Sequence, residues 1–279
     1  MWIEELARLR AQRTAAVLAT VVSVRGHAPR EAGAKFVVTD RELLGTIGGG
    51  NMEMLVAARA REMLAASTRS PEQLVLRLND KAPAAYGKQC CGGEAVVLLE
   101  PVPVRPVIAV FGIGHVGLEL AHILSRHDVE LVLCDSRPEQ LAQLDALEAG
   151  KQPAVIRRQH AVLGEQVLSE LPDGAMVLIM TNDHAEDFHL CDAALRRPGL
   201  GYVGLIGSAA KHARFTLKLA ESGHGPQDIA RITCPIGLPG IHGKQPATIA
   251  VSVAADLLAR MVLDAAPRSA CLNICRTRS

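Results

Sequence analysis

The chain has 279 residues, of which 49% are hydrophobic and 21% charged, and its 30 Lys plus Arg against 29 Asp plus Glu leave a net charge of +1. That balance excludes a largely disordered chain, and the length leaves room for two domains of about 100–200 residues each. A near-neutral chain with one Trp, two Tyr and four Phe is neither a generic basic nucleic-acid binder nor a base-stacking platform.

The N-terminus, MWIEELARLRAQRT, reads as an amphipathic helix with Ile3, Leu6, Leu9 and Arg10 near one face. It has no apolar core of the signal-peptide kind. Later apolar stretches are interrupted by Arg105, Glu119, Asp256 and Arg260, so none reaches the ~20 residues of a membrane span. A cytoplasmic location without membrane attachment is the expectation. Seven cysteines, an odd number, then read as free thiols rather than a disulfide framework.

Thr14–Val24 is a β-branched run and predicts a buried strand. The Gly- and Pro-bearing loop RGHAPREAGA follows, then a strand at Lys35–Asp40 with a hairpin partner in RELLGTI. Gly48, Gly49 and Gly50 precede a helical pattern carrying Met52, Leu55, Val56 and Met63, with Asn51 as its predicted N-cap. Gln73–Leu78 and Ala95–Val102 predict two further strands. EPVPVRP, with three prolines in seven residues, marks a boundary. The reading is an N-terminal domain at residues 1–102, a second at 103–264, and a tail at 265–279.

The second part alternates strand and helix. Strands are predicted at Val107–Phe111, Glu130–Cys134, Val155–Ile156, Met176–Met180 and Tyr202–Ile206. Helical patterns include Gly117–Arg126, Ala209–Glu221 and Thr248–Asp264, the last led by Pro246. This order predicts a parallel sheet covered on both faces. The fold class is α/β: a small N-terminal α/β domain followed by a Rossmann-like, doubly wound parallel-sheet domain. In the last helix Val253, Leu257, Leu258 and Met261 form an apolar stripe. Ser252, Asp256 and Arg260 lie opposite it, with Asp256 and Arg260 spaced to pair.

VIAVFGIGHVG sets Gly112, Gly114 and Gly117 between a strand and a helix. The first permits the tight turn, the second lets backbone approach a pyrophosphate, and the third brings the helix close to the sheet. Asp135 ends the next strand at about the ~20-residue distance of a ribose-binding acid. An NAD(P)-linked oxidoreductase is one reading; an inherited fold holding another ligand is the other. In TNDHAEDFH, His184, Asp187 and His189 sit at the ligand edge either as acid–base groups or beside a helix capped by Asn182 or Asp183.

The remaining polar clusters also allow two readings. Gly48-Gly49-Gly50 is either an anion cradle or a packing turn. Gly207 and Ser208, with Lys211 and Arg214 nearby, either receive a phosphate or begin a helix with a Ser cap. Arg30 either reaches an anionic ligand or is solvated. Cys90 and Cys91, in QCCGGE, are candidate soft-metal or sulfur-transfer thiols, with Lys88 placed to lower a thiol pKa, or else small packed residues. Cys134 and Cys191 fall in a strand and a helix and read as core thiols. PIGLPGIHGKQP, around His242, is a long loop beside a sheet edge, where function often lies.

Taken together, GHAPREAGA, GTIGGGNMEML, QCCGGEAVVLLEP, VIAVFGIGHVG, TNDHAEDF, YVGLIGSAAKHARF and PIGLPGIHGKQPATIAVSVAADLLA occur in an order that resembles the XdhC/CoxI family. The resemblance spans roughly Thr14 to Arg260. It implies an accessory protein for xanthine dehydrogenase or a related molybdenum hydroxylase, a chaperone rather than an enzyme. Such a protein binds the molybdenum cofactor (molybdopterin) transiently, holds it while a cysteine desulfurase replaces an oxo ligand with sulfide, and delivers it to the apo-hydroxylase. No catalytic constellation is assigned. On this reading Cys90 and Cys91 lie at the metal, Cys91 preferred because it abuts Gly92-Gly93. Gly48, Gly49, Gly50, Gly112, Gly114, Gly117, Asp135, Gly207 and Ser208 serve the rest of the cofactor. A homodimer is expected on general symmetry grounds.

Overall fold

The structure, a computed structural model, describes residues 1–77, 93–148 and 150–263. The chain divides into two compact units, with residues 1–104 in the first and 105–261 in the second.

The first unit contains α1 (Trp2–Ala11), β1 (Ala16–Arg25), β2 (Lys35–Val38), β3 (Leu43–Gly45), α2 (Gly50–Ala65), β4 (Glu72–Arg77) and β5 (Glu94–Val102). Its strands form a sheet of order β3-β2-β1-β5-β4, antiparallel at every pairing. The alternation of β1 divides its side chains between two layers. Val17, Ala19 and Val21 pack with Met52, Val56, Ala60 and Met63 of α2, while Ala16 and Leu18 pack with Leu9 of α1 and Val37. One correction concerns the start of α2: Gly49 is its N-cap, and Asn51 is a buried residue inside the first turn. The left-handed glycines carry the chain into the helix where an asparagine cap was expected.

The second unit contains β6 (Val107–Phe111), α3 (His115–Leu124), β7 (Glu130–Asp135), α4 (Pro138–Ala142), α5 (Asp145–Glu148), β8 (Val155–His160) and α6 (Gly164–Ser169). It continues through β9 (Met176–Ile179), α7 (His184–Leu195), β10 (Tyr202–Leu205), α8 (Ala209–Glu221), α9 (Pro226–Ile229), β11 (Ile232–Thr233) and α10 (Pro246–Leu263). The sheet order is β11-β10-β9-β6-β7-β8 and every pairing is parallel. Three strands run outward from β6 in one direction and the next three in the other. This is the doubly wound Rossmann order, with its switch point between β6 and β9.

Both faces of the sheet are covered. Val107, Ala109 and Phe111 of β6 join a core with Leu190, Cys191, Phe215 and Leu219 of α7 and α8. Ile108 and Val110 face the opposite way, into a core with Leu120, Leu124, Val253 and Leu257 of α3 and α10. A strand apolar on both sides is what a central parallel strand requires.

Strand β8 extends beyond the expected Val155–Ile156, through RRQH. It is an edge strand, where charge is tolerated: Arg157 pairs with Glu130 at 3.0 Å and Arg158 with Asp145 at 2.5 Å. On α10, Ser252 and Asp256 are buried although they lie off the apolar stripe. The 235–243 loop covers Ser252, whose Oγ accepts from Leu238 N at 2.9 Å, and the Tyr202 hydroxyl lies 3.5 Å from Asp256. The Asp256–Arg260 pair does form, at 3.0 Å, with the guanidinium over the Tyr202 ring.

Candidate functional site

At the switch point the three glycines of the β6–α3 turn answer three different demands. Gly112 has φ +101°, and a Cβ there would lie 2.4 Å from the Met180 carbonyl oxygen. Gly117 lets α3 approach, since a Cβ would lie 2.3 Å from the Gly112 oxygen. Gly114 is the N-cap of α3 with no side-chain cap, and no heavy atom lies within 4 Å of where its Cβ would be. As at any helix start, the first N–H groups of α3 have no acceptor within the helix.

Asp135 ends β7 as expected, but its carboxylate is already committed. Oδ2 accepts from Ile113 N at 2.7 Å and from Arg137 Nη2 at 2.9 Å, and Oδ1 accepts from Arg137 N and Nε, each at 2.9 Å. Four donors fill roughly the four lone-pair sites that a carboxylate offers. Burial raises its pKa, but the Arg137 and Ile113 hydrogen bonds outweigh burial and hold it below the usual carboxylate range. The residue placed to grip a ribose instead buttons the glycine turn to Arg137.

Asp187 is fully buried. Its Oδ1 accepts from Thr181 N at 3.0 Å and Thr181 Oγ1 at 2.8 Å, and its Oδ2 receives the Lys211 ammonium. Lys211 Nζ also donates to the Ile206 carbonyl at 2.9 Å, and its stem occupies the space beside Gly207, 2.7 Å from a would-be Cβ. The pair thus joins the 180–181 turn, which abuts Gly112, to the chain leaving β10. Lys211 points inward and not toward a ligand at Ser208. Ser208 is the N-cap of α8, accepting from Lys211 N at 3.2 Å, and Asp183 caps α7, accepting from Ala185 N at 2.6 Å. His184, His189 and Arg214 are exposed, and neither histidine shares the Asp187 site. Glu186 stands at this edge with its pKa raised by burial and by the charges of Asp135 and Asp187.

At the carboxyl end of β10 a cavity of about 840 Å3 opens between Ile206-Gly207, the 235–244 loop and the first turns of α10. The loop is held closely to the helix. Gly237 has φ +91°, and a Cβ there would lie 2.5 Å from Ser252 Oγ; at Gly243 it would lie 2.8 Å from Thr248 Cγ2. His242 and Lys244 are exposed on the rim.

In the first unit Gly48, Gly49 and Gly50 all take left-handed φ, at +119°, +74° and +66°. The chain's own carboxylate fills this turn: Glu53 Oε2 accepts from Ile47 N and Gly49 N, both at 3.0 Å, and from Thr46 Oγ1 at 2.6 Å. Gly48 N donates to Thr46 Oγ1 at 3.0 Å. A Cβ on Gly48 would lie 2.3 Å from Pro29 Cβ, and one on Gly93 would lie 2.3 Å from the His27 oxygen. The GHAPREAGA loop, the glycine turn and the end of the QCCGG segment therefore meet at one rim of the antiparallel sheet. Arg30 is exposed there. Cys90 and Cys91, like Lys88, lie outside the described residues.

Cys134 and Cys191 are buried core thiols. Burial pushes the Cys134 pKa up to about 12 and raises that of Cys191 too, so both stay protonated and unreactive. Among the described residues no three His, Cys, Asp or Glu side chains are grouped as a metal ion would need. None of the described helices is long and apolar enough to cross a membrane.

Sequence reasoning did not find the Asp187–Lys211 pair, Glu53 as the filler of the glycine turn, or Arg137 as the partner of Asp135. Arg137, two residues from Asp135, was the most accessible of these, because that spacing lets a side chain fold back on the acid.

The XdhC Rossmann domain family matches residues 108–257, more than half of the chain, and the XdhC and CoxI family matches residues 9–78. The chain belongs to the XdhC/CoxI family. Among its curated relatives is the uncharacterized protein YqeB of Escherichia coli (strain K12), 28% identical over 254 residues, covering 91% of this chain and 45% of YqeB. This XdhC/CoxI chain therefore spans somewhat under half the length of that relative. The molybdenum cofactor insertion chaperone PaoD, also of Escherichia coli (strain K12), is 25% identical over 271 residues, covering 87% of this chain and 82% of PaoD. A solved structure described as a xanthine dehydrogenase from Bacillus halodurans is 20% identical, with 94% of this chain and 96% of that chain covered and a TM-score of 0.45. The XdhC Rossmann match takes in the glycine turn, the Asp187–Lys211 pair and the cavity-forming loop.

Proposed function

We propose that this chain is a molybdenum-cofactor carrier. It holds molybdopterin while a cysteine desulfurase sulfurates it, and passes it, as a homodimer, to an apo-hydroxylase of the xanthine dehydrogenase class. One observation carries the reading: a dinucleotide fold whose ribose acid is spent on its own loop. With four donors on Asp135, the turn keeps an anion-binding helix start, while the acid that would take the ribose hydroxyl of NAD is engaged by Arg137 and Ile113. The open space at Gly114 suits the phosphate of a phosphorylated pterin. Family membership supports the reading, as does the name of the relative PaoD. Within it, Cys90 and Cys91 supply thiolates for a soft metal.

The test is the cargo itself. Protein purified from a molybdenum-replete host is oxidised, the fluorescent pterin is quantified, and molybdenum is counted per chain. Wild type is expected to carry both, and Cys91→Ala to fold normally with less of each. The competing NAD(P)-dependent oxidoreductase predicts calorimetric heat with NADH or NADPH. Saturable dinucleotide binding with turnover, and no pterin, overturns the carrier.

A further inference from the structure

We propose that the cavity at the carboxyl end of β10 receives the fused nitrogen-ring end of the cargo, while the phosphate end lies toward the glycine turn. The inference rests on the carrier reading and locates its ligand. Several observations converge on it. At about 840 Å3 the cavity falls within the ~300–1,000 Å3 typical of small-molecule sites. Ile206, Ile236, Leu238 and Ile249 give it apolar walls, while Thr248 and Lys244 bring a hydroxyl and an ammonium. A flat pterin has the matching character, with apolar faces and a rim of nitrogen and oxygen.

The cavity is also shaped by structural constraint. Its loop follows α10 only because Gly237 and Gly243 lack side chains, and Ser252 Oγ both accepts from Leu238 N at 2.9 Å and donates to Leu238 O at 3.3 Å. Sheet order supplies the geometry. β6 and β10 are separated by one strand, so their carboxyl ends lie about 10 Å apart at the ~4.8 Å strand spacing. A ligand with a ring at one end and a phosphate at the other spans such a distance. The Asp187–Lys211 pair fixes the two ends relative to each other, holding Thr181 beside Gly112 and the Ile206 carbonyl at the cavity.

The experiment compares full-length wild type with Leu238→Trp, which fills the cavity, and Lys244→Glu, an exposed change that removes the cation. The readouts are molybdenum and oxidised pterin retained per chain after gel filtration, binding of a free fluorescent pterin by equilibrium dialysis, and Tm. The proposal expects both variants to keep their Tm, to retain at least fivefold less cofactor and to bind the free pterin more weakly. If Leu238→Trp does not fold, Lys244→Glu decides alone. Wild-type retention and pterin binding in the folded variants overturn the cavity assignment and leave the carrier reading intact. A wild type that holds neither molybdenum nor pterin overturns the carrier reading itself, and the assignment with it.

Discussion

Replacing Lys211 by Met keeps the length of the side chain and removes its charge from a site where Asp187 has no exposed surface. Breaking a buried ion pair from one side costs about 3–5 kcal/mol, because the remaining charge stays desolvated. Here two donors remain on the carboxylate, Thr181 N at 3.0 Å and Thr181 Oγ1 at 2.8 Å, which places the cost at the lower end, about 3 kcal/mol. The Ile206 carbonyl loses its Lys211 donor as well, adding about 1 kcal/mol. For a unit of this size about 3–4 kcal/mol corresponds to a fall in Tm of roughly 6–16 °C. The assay is thermal and urea unfolding of wild type, Lys211→Met, Asp187→Asn and the double variant. The double variant should lose less than the sum of the singles, since neither orphaned charge is then buried. A loss below about 1 kcal/mol for Lys211→Met, or strict additivity, refutes the pair as the tie between the glycine turn and the β10 exit.

Two further outcomes follow from the switch point. Asp135→Asn should cost about 2–3 kcal/mol at pH 7, because charge-assisted bonds to Arg137 and Ile113 are weakened. Its folded pKa is depressed, so the wild-type contribution is full above the ordinary carboxylate value of about 3.9 and is lost as pH falls through the folded value. Urea unfolding at pH 7 and near pH 2.5 should show the gap narrowing in acid; an equal gap at both contradicts the assignment. Gly112→Ala, at φ +101° with a 2.4 Å approach to the Met180 oxygen, should lose about 2 kcal/mol or more. Gly114→Ala, in open space at φ −76°, should keep stability within about 1 kcal/mol and lose several-fold in cofactor retention. Equal unfolding midpoints for these two variants would contradict the distinction.

Much of the fold was legible because the signals are local. The run VIAVF ending in glycine, followed by a helical pattern, carries the central strand, its turn and the helix within a dozen residues. The placement of Asp135 at the end of β7 was likewise a matter of counting. What the site does with these residues was less accessible. Glu53 reaches back to the N–H groups at positions 47 and 49, turning a candidate anion cradle into a self-satisfied turn. The pattern set Ser252 and Asp256 opposite an apolar stripe, and periodicity distinguishes apolar from polar, not covered from uncovered. The 235–243 loop buries Ser252, and Asp256 packs by Tyr202, which is 54 residues away in sequence.

Taken alone, the amino-acid order determined which segments are strands and helices, where only glycine can stand, and which chemical groups are available. The folded chain decided which of those groups are consumed by one another and which remain open to a ligand. The division has a physical cause. Backbone preference and hydrophobic period act over a few neighbouring residues, whereas a carboxylate takes its donors from whatever the packing brings within about 3 Å. Asp187 and Lys211 are 24 residues apart, and only the order of β9 and β10 brings them together.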